Sequence, residues 1–442
     1  MKLNCSVCML VITMFVMNLV SPSIGKAQSK YEAPPLPSIP QRVFNVSNYN
    51  ALGDDKTDNT KAIQSAIDAA VSAGGGQVVI PKGVYLCGPI QFGNNLNLHF
   101  DSGSILKMLP IDKYPGGTTD GTSFISAAGL HDIAITGKGT IDGQGSPWWK
   151  FAKTEDAKRP RMIAFKDCDK ILLDEVKLLN SPMFHIAIGG KTSNVTVQNV
   201  TVQAPSSKDP VNPSHNTDAC DVTGHKILIK NCDISVGDDN YTCGGGTSDV
   251  LITNCRYGYG HGLSIGSYTK GGVSNITVEN CTFNNTESGI RIKTDRDRGG
   301  LVENMTYRNL KMTNVGIPIL IYESYTSKDK TFKNLQKITP DVAATYPPAE
   351  VTPKTPIYRN FTFQNITATV EKGKRAGLIW GLPESNIENI FMQNVNITAD
   401  EPFGIFFCKN VQMKDCKIIT RDGKNKLATT NSSVTIDGEI MK

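Results

Sequence analysis

A short strand-like pattern recurs along most of this chain and constrains its fold more than any other feature. The pattern is a polar residue, an alternation of apolar and polar residues, and then Asn followed by an apolar residue or Cys, as in Asn194-Val-Thr-Val-Gln-Asn-Val. Clear copies start at Asn194, Lys226, Asp249, Asn275, Asn304, Asn360 and Asn389, and weaker copies at Asp132, Lys170 and Asn410. The copies starting at Lys226, Asp249, Asn275 and Asn304 follow one another at intervals of 23, 26 and 29 residues.

Short strands at this interval, with few helical patterns between them, predict a solenoid. Each coil would be one turn of strands and bends, and stacking would bury a continuous core between coils. We therefore expect an all-β chain that folds as a right-handed parallel β-helix of about ten coils. Such a fold explains how 442 residues can form one domain.

One segment near the N-terminus carries a helical pattern instead. Asp58 or Asn59 can cap a helix, and Gly74-Gly75-Gly76 would end it. Its apolar residues share one face: Ile63, Ala66, Ile67, Ala70 and Val71. We expect this helix to cap the N-terminal end of the solenoid, where a bare strand edge would invite aggregation.

The first residues have the features of a secretion signal. Lys2 precedes an apolar run of about 13 residues that is too short to span a bilayer, and small residues follow. We expect residues 1–27 to be a signal peptide, 28–41 a Pro-rich leader and 42–442 a single β-helix domain. The expected location is extracellular or in a cell wall, with no membrane association after removal of the signal.

The net charge limits the classes of binding partner. The net charge is 46 − 41 = +5 without a long Lys/Arg run, which argues against nucleic acid and fits a polyanion weakly.

Cys232, Cys255 and Cys281 occupy equivalent places in successive copies of the repeat, so we expect a buried ladder of thiols. Cys408 and Cys416 are the best disulfide candidates. The six histidines are scattered and no Cys-x-x-Cys occurs, so no metal site and no cofactor are expected.

Asn-x-Ser/Thr occurs 11 times after the signal segment, at Asn45, Asn194, Asn199, Asn275, Asn280, Asn284, Asn304, Asn360, Asn365, Asn396 and Asn431. Many copies arise because the repeat itself contains Asn-apolar-Thr, which favours turn-stabilising asparagines. Some glycosylation is expected on a secreted protein, but the sequence does not indicate which sites carry it.

Four polar motifs lie about one coil apart between residues 216 and 293. They are Asn216-Thr-Asp218, Gly237-Asp-Asp239, Gly260-His-Gly262 and Arg291-Ile-Lys293. Residues one coil apart stack on the same face, so three carboxylates, an imidazole and two cations should meet. Crowded acids raise the proton affinity of at least one of them. Paired carboxyls are the apparatus of glycoside hydrolysis, and the cations would recognise an acidic sugar.

This motif set resembles the family 28 glycoside hydrolases, the polygalacturonases. Further similarity lies in segments 44–58, 83–90 and 139–145, so the resemblance covers roughly residues 42–420. It implies the pectin-lyase-like solenoid. It also implies a secreted enzyme that hydrolyses α-1,4 bonds of pectin or polygalacturonate by inversion. The implied partner is an acidic polysaccharide, and a monomer is expected.

The resemblance also implies roles for individual residues. Asp238 resembles the general acid, Asp218 and Asp239 the pair that positions and deprotonates water, and His261 the residue that supports the acid. The other matching positions resemble substrate contacts: Arg291, Lys293, Asn216, Tyr325 and, with less support, His185.

Two departures from the family pattern concern the loops around these motifs. Many members have cysteines where this chain has Asn240 and Tyr257, so a disulfide has been replaced and the local loop geometry can differ. Residues 326–356 form a long Pro- and Lys-containing insertion. We expect it to close one end of a groove and favour attack at chain ends, although the sequence leaves endo and exo action open.

Three other functions fit parts of the sequence. A pectate lyase shares the solenoid but needs calcium and a basic residue that abstracts a proton. Rhamnogalacturonan hydrolases share it too, with less similarity at Gly260-His-Gly262. An inactive β-helix that only binds wall polysaccharide would not need three stacked carboxylates.

Overall fold

The computed structural model describes residues 31–325, 329–423 and 427–441. The expected signal peptide, residues 1–27, therefore lies outside the described residues. Parallel strands are the main regular structure of the described chain. In chain order they are β1 Val43–Asn45, β2 Asp54–Asp58, β3 Gly76–Ile80, β4 Gly83–Cys87, β5 Ile90–Gln91, β6 Leu96–Phe100, β7 Ser104–Met108, β8 Ile125–Ala128, β9 His131–Gly137, β10 Thr140–Asp142, β11 Ile163–Lys166, β12 Asp169–Asp174, β13 Lys177–Leu179, β14 Ile186–Gly189, β15 Ser193–Gln198, β16 Thr201–Gln203, β17 Cys220–Val222, β18 His225–Lys230, β19 Asp233–Ser235, β20 Tyr241–Cys243, β21 Thr247–Thr253, β22 Arg256–Tyr257, β23 Leu263–Ile265, β24 Val273–Glu279, β25 Thr282–Asn284, β26 Ser288–Lys293, β27 Leu301–Val315, β28 Ile317–Tyr322, β29 Ile357–Val370, β30 Arg375–Trp380, β31 Ile387–Ala399, β32 Glu401–Phe406, β33 Cys408–Lys414, β34 Lys417–Thr420, β35 Leu427–Thr430, β36 Val434–Ile436 and β37 Glu439–Ile440.

The helices are short and few among these residues. They are α1 Thr60–Ser72, α2 Gly117–Asp120, α3 Ser146–Trp149, α4 Lys330–Lys333 and α5 Pro340–Ala344, with 3-10 turns at Val46–Tyr49 and Leu335–Lys337. No helix of the described chain is long and apolar enough to cross a membrane.

The strands stack into two long sheets, as the repeat predicts. The first sheet has 25 strands and the second sheet 12, the latter made of β5, β8, β11, β14, β17, β20, β23, β26, β28, β30, β32 and β35. Each strand pairs in parallel with its equivalent one coil away, and the apolar positions stay in register, as in Ile227↔Val250↔Ile276. Only β36 and β37 pair antiparallel among the described strands. The predicted parallel β-helix is confirmed, with more coils than expected because the N-terminal ones lack a clear repeat.

Inward-facing side chains form one core that runs from Val46 to Val434. The expected thiol ladder is part of it, since Cys232, Cys255 and Cys281 are each 1% exposed. A single apolar core along the whole length is what a solenoid needs, because each coil contacts only its neighbours.

Asparagines at the corners of successive coils form a hydrogen-bonded ladder. The Nδ2 of Asn304, Asn360, Asn389 and Asn410 donates to the Oδ1 of the ladder asparagine one coil earlier, at 2.8–3.1 Å, beginning from Asn275. All five have φ between 54° and 62°, a conformation that Asn tolerates better than most residues. Asn suits this corner of the repeat because it adopts the left-handed backbone conformation and its side chain hydrogen-bonds to the next coil.

The N-terminal helix forms where the pattern predicts it. Asp58 Oδ1 accepts from the Thr60 amide at 2.9 Å, whereas the Asn59 side chain bonds to the loop at Leu52 and Thr57 instead. α1 packs on β1, β3, β5 and β6. Val71 is 37% exposed, at the edge of the buried face. That the helix caps the solenoid remains a prediction.

The proposed disulfide between Cys408 and Cys416 is wrong. Every described cysteine is a free thiol. Cys408 opens β33 and Cys416 follows its end, and seven extended residues separate their positions by roughly 20 Å. The Cys408 thiol faces the Ile379 carbonyl and the Cys416 thiol the Met392 carbonyl.

The insertion folds onto the outer face of the second sheet, the side turned away from the core. Its described part, residues 329–356, contains α4, the 3-10 turn and α5. Together with β28, β30 and β32 it builds a second apolar cluster that includes Phe332, Ile338, Tyr346, Leu378 and Trp380.

Candidate active site

Four consecutive strands of the second sheet bring the polar motifs together. Asp218, Asp239 and His261 each stand two residues before β17, β20 and β23, while Arg291 and Lys293 lie on β26. The register Asp221↔Thr242↔Ser264↔Arg291 stacks these strands directly. The expected meeting of acids, imidazole and cations on one face is therefore observed. We call Asp218, Asp238, Asp239 and His261 the acid cluster.

Asp239 is the buried centre of this cluster, with 3% of its surface exposed. Its Oδ1 accepts from Ser264 Oγ at 2.6 Å and from Arg291 Nη1 at 3.1 Å. Its Oδ2 accepts from Lys293 Nζ at 3.0 Å. Two cations on β26 thus compensate a carboxylate that would otherwise be costly to bury.

Asp238 lies between His261 and Asn216. Its Oδ1 is 2.9 Å from His261 Nδ1, a close charge contact, and its Oδ2 accepts from the Asn216 backbone and side-chain amides at 3.2 and 3.4 Å. Burial raises the pKa of Asp238, but the contact with His261 and the charges of His261, Lys293 and Arg291 outweigh it and leave that pKa below its usual value.

His261 contacts carboxylates on both sides of its ring. Besides Asp238, Glu287 Oε2 lies 3.3 Å from Nε2. Burial would lower the pKa of His261, but the contact with Asp238 and the charges of Asp238, Asp239 and Glu287 raise it above its ordinary 6.5. The two opposite pKa shifts favour a charged imidazole beside a charged Asp238 carboxylate.

Asp218 is the carboxyl of the acid cluster whose pKa is raised. It is 6% exposed. Burial first, and then the charges of Asp238 and Asp239, raise its pKa well above the usual value. The crowding that the sequence predicted therefore raises the pKa of Asp218, whereas His261 and the neighbouring cations keep the pKa of Asp238 low.

Arg159 supports the site from behind Asn216. Its Nη2 donates to Asn216 Oδ1 at 2.8 Å and its Nη1 to the carbonyls of Pro182 and His215 at 3.0 and 2.8 Å. This contact orients the Asn216 amide so that Nδ2 faces Asp238.

Asn240 clamps the loop that carries His261. It is fully buried, its Nδ2 donates to the Tyr259 carbonyl at 3.1 Å, and its Oδ1 accepts from the Gly262 amide at 2.9 Å. Gly260 has φ +135°, and a Cβ there would lie 2.5 Å from Asn240 Oδ1. Tyr257 instead packs in the core against Phe283, with ring centroids 4.9 Å apart.

The last two expected contact residues differ in position. Tyr325 is 39% exposed and its ring lies 5.5 Å from Lys293 Nζ, at the edge of the site. His185 is fully buried, which departs from the expected substrate contact. Its amide donates to the Asp218 carbonyl at 2.8 Å, and burial lowers its pKa to about 4. His185 therefore supports the Asp218 backbone as a neutral ring.

Sequence reasoning missed Ser264, Glu287 and Arg159, and it singled out Asn240 only as a departure from the family pattern, without its two hydrogen bonds to the 259–262 loop. Ser264 had a usable signal, because it is the polar residue of Leu263-Ser-Ile265, one coil after Asp239. Glu287 immediately precedes β26 and lies one coil, 26 residues, after His261. Arg159 comes from an irregular segment, where no period indicates what it contacts.

Asp238, Asp239 and His261 each place one potential ligand atom within 4.8 Å of the others, the one such group among the described residues. Arg291 and Lys293 already bring two positive charges to Asp239. The donor set therefore fits an acid–base site balanced by side-chain cations better than a metal centre.

Known proteins share this arrangement of sequence and fold. The profile of Glycosyl hydrolases family 28 matches residues 72–418. A probable polygalacturonase of Arabidopsis thaliana is 33% identical over 293 residues, which is 65% of this chain and 62% of that relative. An endo-polygalacturonase of Pectobacterium carotovorum subsp. carotovorum is 29% identical over 402 residues, 83% of this chain and 90% of that one.

A solved structure shows the same fold at lower identity. The hyperthermoactive exopolygalacturonase of Thermotoga maritima superposes with a TM-score of 0.71 at 23% identity, covering 92% of this chain and 95% of that one. The match spans less than two thirds of the Arabidopsis relative but most of the bacterial ones. On the extent of the profile match, this chain belongs to the glycosyl hydrolases of family 28.

Proposed function

We propose that the protein hydrolyses the α-1,4 bonds between galacturonic acid units of pectin or polygalacturonate, outside the cell. The observation that carries the proposal is the acid cluster stacked beside Arg291 and Lys293 on four consecutive strands. We include in it a signal peptide at residues 1–27, a leader at 28–41 and one catalytic domain from 42 to 442.

The proton for the leaving group would come from the Asp238–His261 pair. Asp238 gives a proton to the glycosidic oxygen as the bond to the anomeric carbon breaks, and His261, 2.9 Å away, holds that proton in the resting site. Positioned proton transfer of this kind contributes roughly 10²–10⁴ in rate.

The attacking water would be held by Asp218 and Asp239 on the opposite side of the sugar. Its oxygen bonds to the anomeric carbon and its proton passes to Asp239, the carboxylate paired with Arg291 and Lys293, while Asp218, with its raised pKa, positions the water. Inversion is what the family membership favours, and one oxygen of Asp238 lies within 4.8 Å of one oxygen of Asp239, closer than the roughly 6.5–9.5 Å usual between the carboxyls of inverting glycosidases. No covalent sugar–enzyme intermediate is needed.

Arg291 and Lys293 would also contact the galacturonate carboxylate. An ammonium has three donors and a guanidinium five, and Asp239 uses one of each. The remaining donors of the half-buried Arg291, and Tyr325 beside Lys293, are available to an acidic sugar.

Release of reducing ends from polygalacturonate tests the proposal. Wild-type protein should release them, and Asp238→Asn should lower the rate at least about 100-fold. Asp233→Asn is the matched control, because Asp233 pairs with Arg256 on the first sheet, away from the acid cluster. If the wild-type protein released no reducing ends, the protein would be an inactive β-helix that only binds polysaccharide. Calcium-dependent products that absorb in the ultraviolet would indicate a lyase.

A further inference from the structure

The outer face of the second sheet changes character one strand beyond the acid cluster. From β8 to β17, on the N-terminal side of the cluster, the outward positions are in register and partly exposed: Ser126, Ala164, Ala187 and Asp221. After Arg291, the next outward positions are Leu320 and Leu378, which are 4% and 0% exposed. Between these two stretches, Thr242 and Ser264 are 8% and 0% exposed and Arg291 is half-buried, so Arg291 is the last partly exposed outward position before β28.

The insertion is what covers the closed side. Phe332 and Tyr346 pack on Trp380, with ring centroids 5.9 and 5.2 Å apart, and Ile338 and Ala343 complete the buried cluster. Arg375, 3% exposed, ties the segment down by donating to the Leu335 carbonyl at 2.6 Å. This cover is a packed part of the fold.

The edge of the cover nearest the site is held by an ion pair. Arg296 follows β26 and donates through Nε and Nη2 to both oxygens of Glu384, at 2.6 and 3.0 Å. Its guanidinium also lies 4.7 Å from the Tyr346 ring centre. We call Arg296, Tyr346 and Glu384 the wall.

We propose that the wall makes the groove one-sided, so that the protein attacks polygalacturonate only at a chain end. This inference rests on the hydrolysis proposed above. Neighbouring strands are about 4.8 Å apart, close to the length of one sugar residue in an extended chain, so a chain lying across the strands would reach the covered Leu320 about one sugar residue past Arg291. On the open side, β14, β11 and β8 extend the floor by about 14 Å.

The size of the first products on long, unesterified polygalacturonate tests the one-sided groove. We expect one short product from the earliest times, with no ladder of intermediate sizes and little loss of viscosity per bond cut. A ladder with an early collapse of viscosity would overturn the one-sided groove but keep the hydrolysis. No released sugar would overturn the proposed function, and the one-sided groove with it.

A pair of variants tests whether the ion pair forms the wall. Arg296→Ala should add longer products to the pattern, because the edge of the cover loses its anchor to Glu384. Arg359→Ala is the matched control, since Arg359 Nε donates to Glu303 at 2.8 Å between coils of the first sheet. It should keep the wild-type pattern, with both variants checked for native circular dichroism. Identical patterns from the two variants would contradict the wall.

Discussion

At the scale of single residues, the imidazole of His261 between Asp238 and Glu287 controls where the proton sits. Because the pKa of His261 is raised above 6.5, the Asp238–His261 pair keeps its proton below that raised pKa and loses it as the pH rises through it. We therefore expect kcat/KM to be full at mildly acidic pH and to fall on the alkaline side of 6.5.

A variant of Glu287 tests whether the pKa of His261 sets the alkaline fall in kcat/KM. Glu287→Gln removes one of the charges that raise the pKa of His261, so the alkaline fall in kcat/KM should move to lower pH. A partly exposed ion pair contributes roughly 0.2–1 kcal/mol, so the shift should be at most about 0.7 pH units. Glu303→Gln, which removes an exposed ion pair of the first sheet, should leave the profile unchanged. A Glu287→Gln profile that does not move, or moves upward, would contradict the assignment.

Asn240 should act as a positioning residue through His261. Asn240→Ala removes both side-chain bonds that hold the 259–262 loop. Misplacing a catalytic group by about 1 Å can cost about 100-fold, so kcat should fall by about 10- to 100-fold while KM changes little. The control is Asn97→Ala, which breaks comparable bonds to Gln77 and Thr136 on the first sheet. If both variants lose stability alone, Asn240 has no role in positioning.

The residues that sequence reasoning could place are those that share a coil spacing. Asp218, Asp239, His261 and Arg291 follow one another at intervals of one coil, so stacking alone brings them together. The proton distribution was not predictable, because it depends on Glu287 and on the direction in which His261 faces. Arg159 was out of reach because its partners, the carbonyls of Pro182 and His215 and the side chain of Asn216, lie outside the repeat.

At the scale of elements, the asparagine ladder should stabilise the solenoid through both backbone and side chain. Asn360 donates to Asn304, accepts from Asn389 and has φ 62°. Asn360→Ala loses two hydrogen bonds worth roughly 0.5–1.5 kcal/mol each, and it also places alanine in a conformation that costs roughly 1–2 kcal/mol.

Glycine separates the two contributions. Asn360→Gly loses the same bonds but adopts the left-handed conformation freely, so it should be less destabilised than Asn360→Ala by about 1 kcal/mol. Denaturant unfolding of the three proteins measures the difference. Equal unfolding midpoints for the two variants would show that the backbone conformation contributes nothing at this corner.

The strands and their stacking order followed from the repeat, whereas two features at this scale did not. The apolar residues of the insertion, such as Phe332, Ile338 and Tyr346, have no period, so their packing on Trp380 could not be predicted. The predicted pairing of Cys408 with Cys416 is wrong because the length of β33 separates the two positions.

At the scale of the whole molecule, the solenoid converts one-dimensional spacing into a catalytic face. Parallel in-register strands set groups from four coils side by side. The same stacking would carry a polymer substrate across the strands. An insertion after one strand then suffices to close the face in one direction, without altering the acid cluster.

The central claim is that this face hydrolyses polygalacturonate with water activated opposite the Asp238–His261 acid. Proton NMR of the first product formed from an oligogalacturonide tests it most directly. Because the bond cut is α and inversion is proposed, the new reducing end should appear first as the β-anomer and only later equilibrate. An α-anomer formed first would contradict the claim.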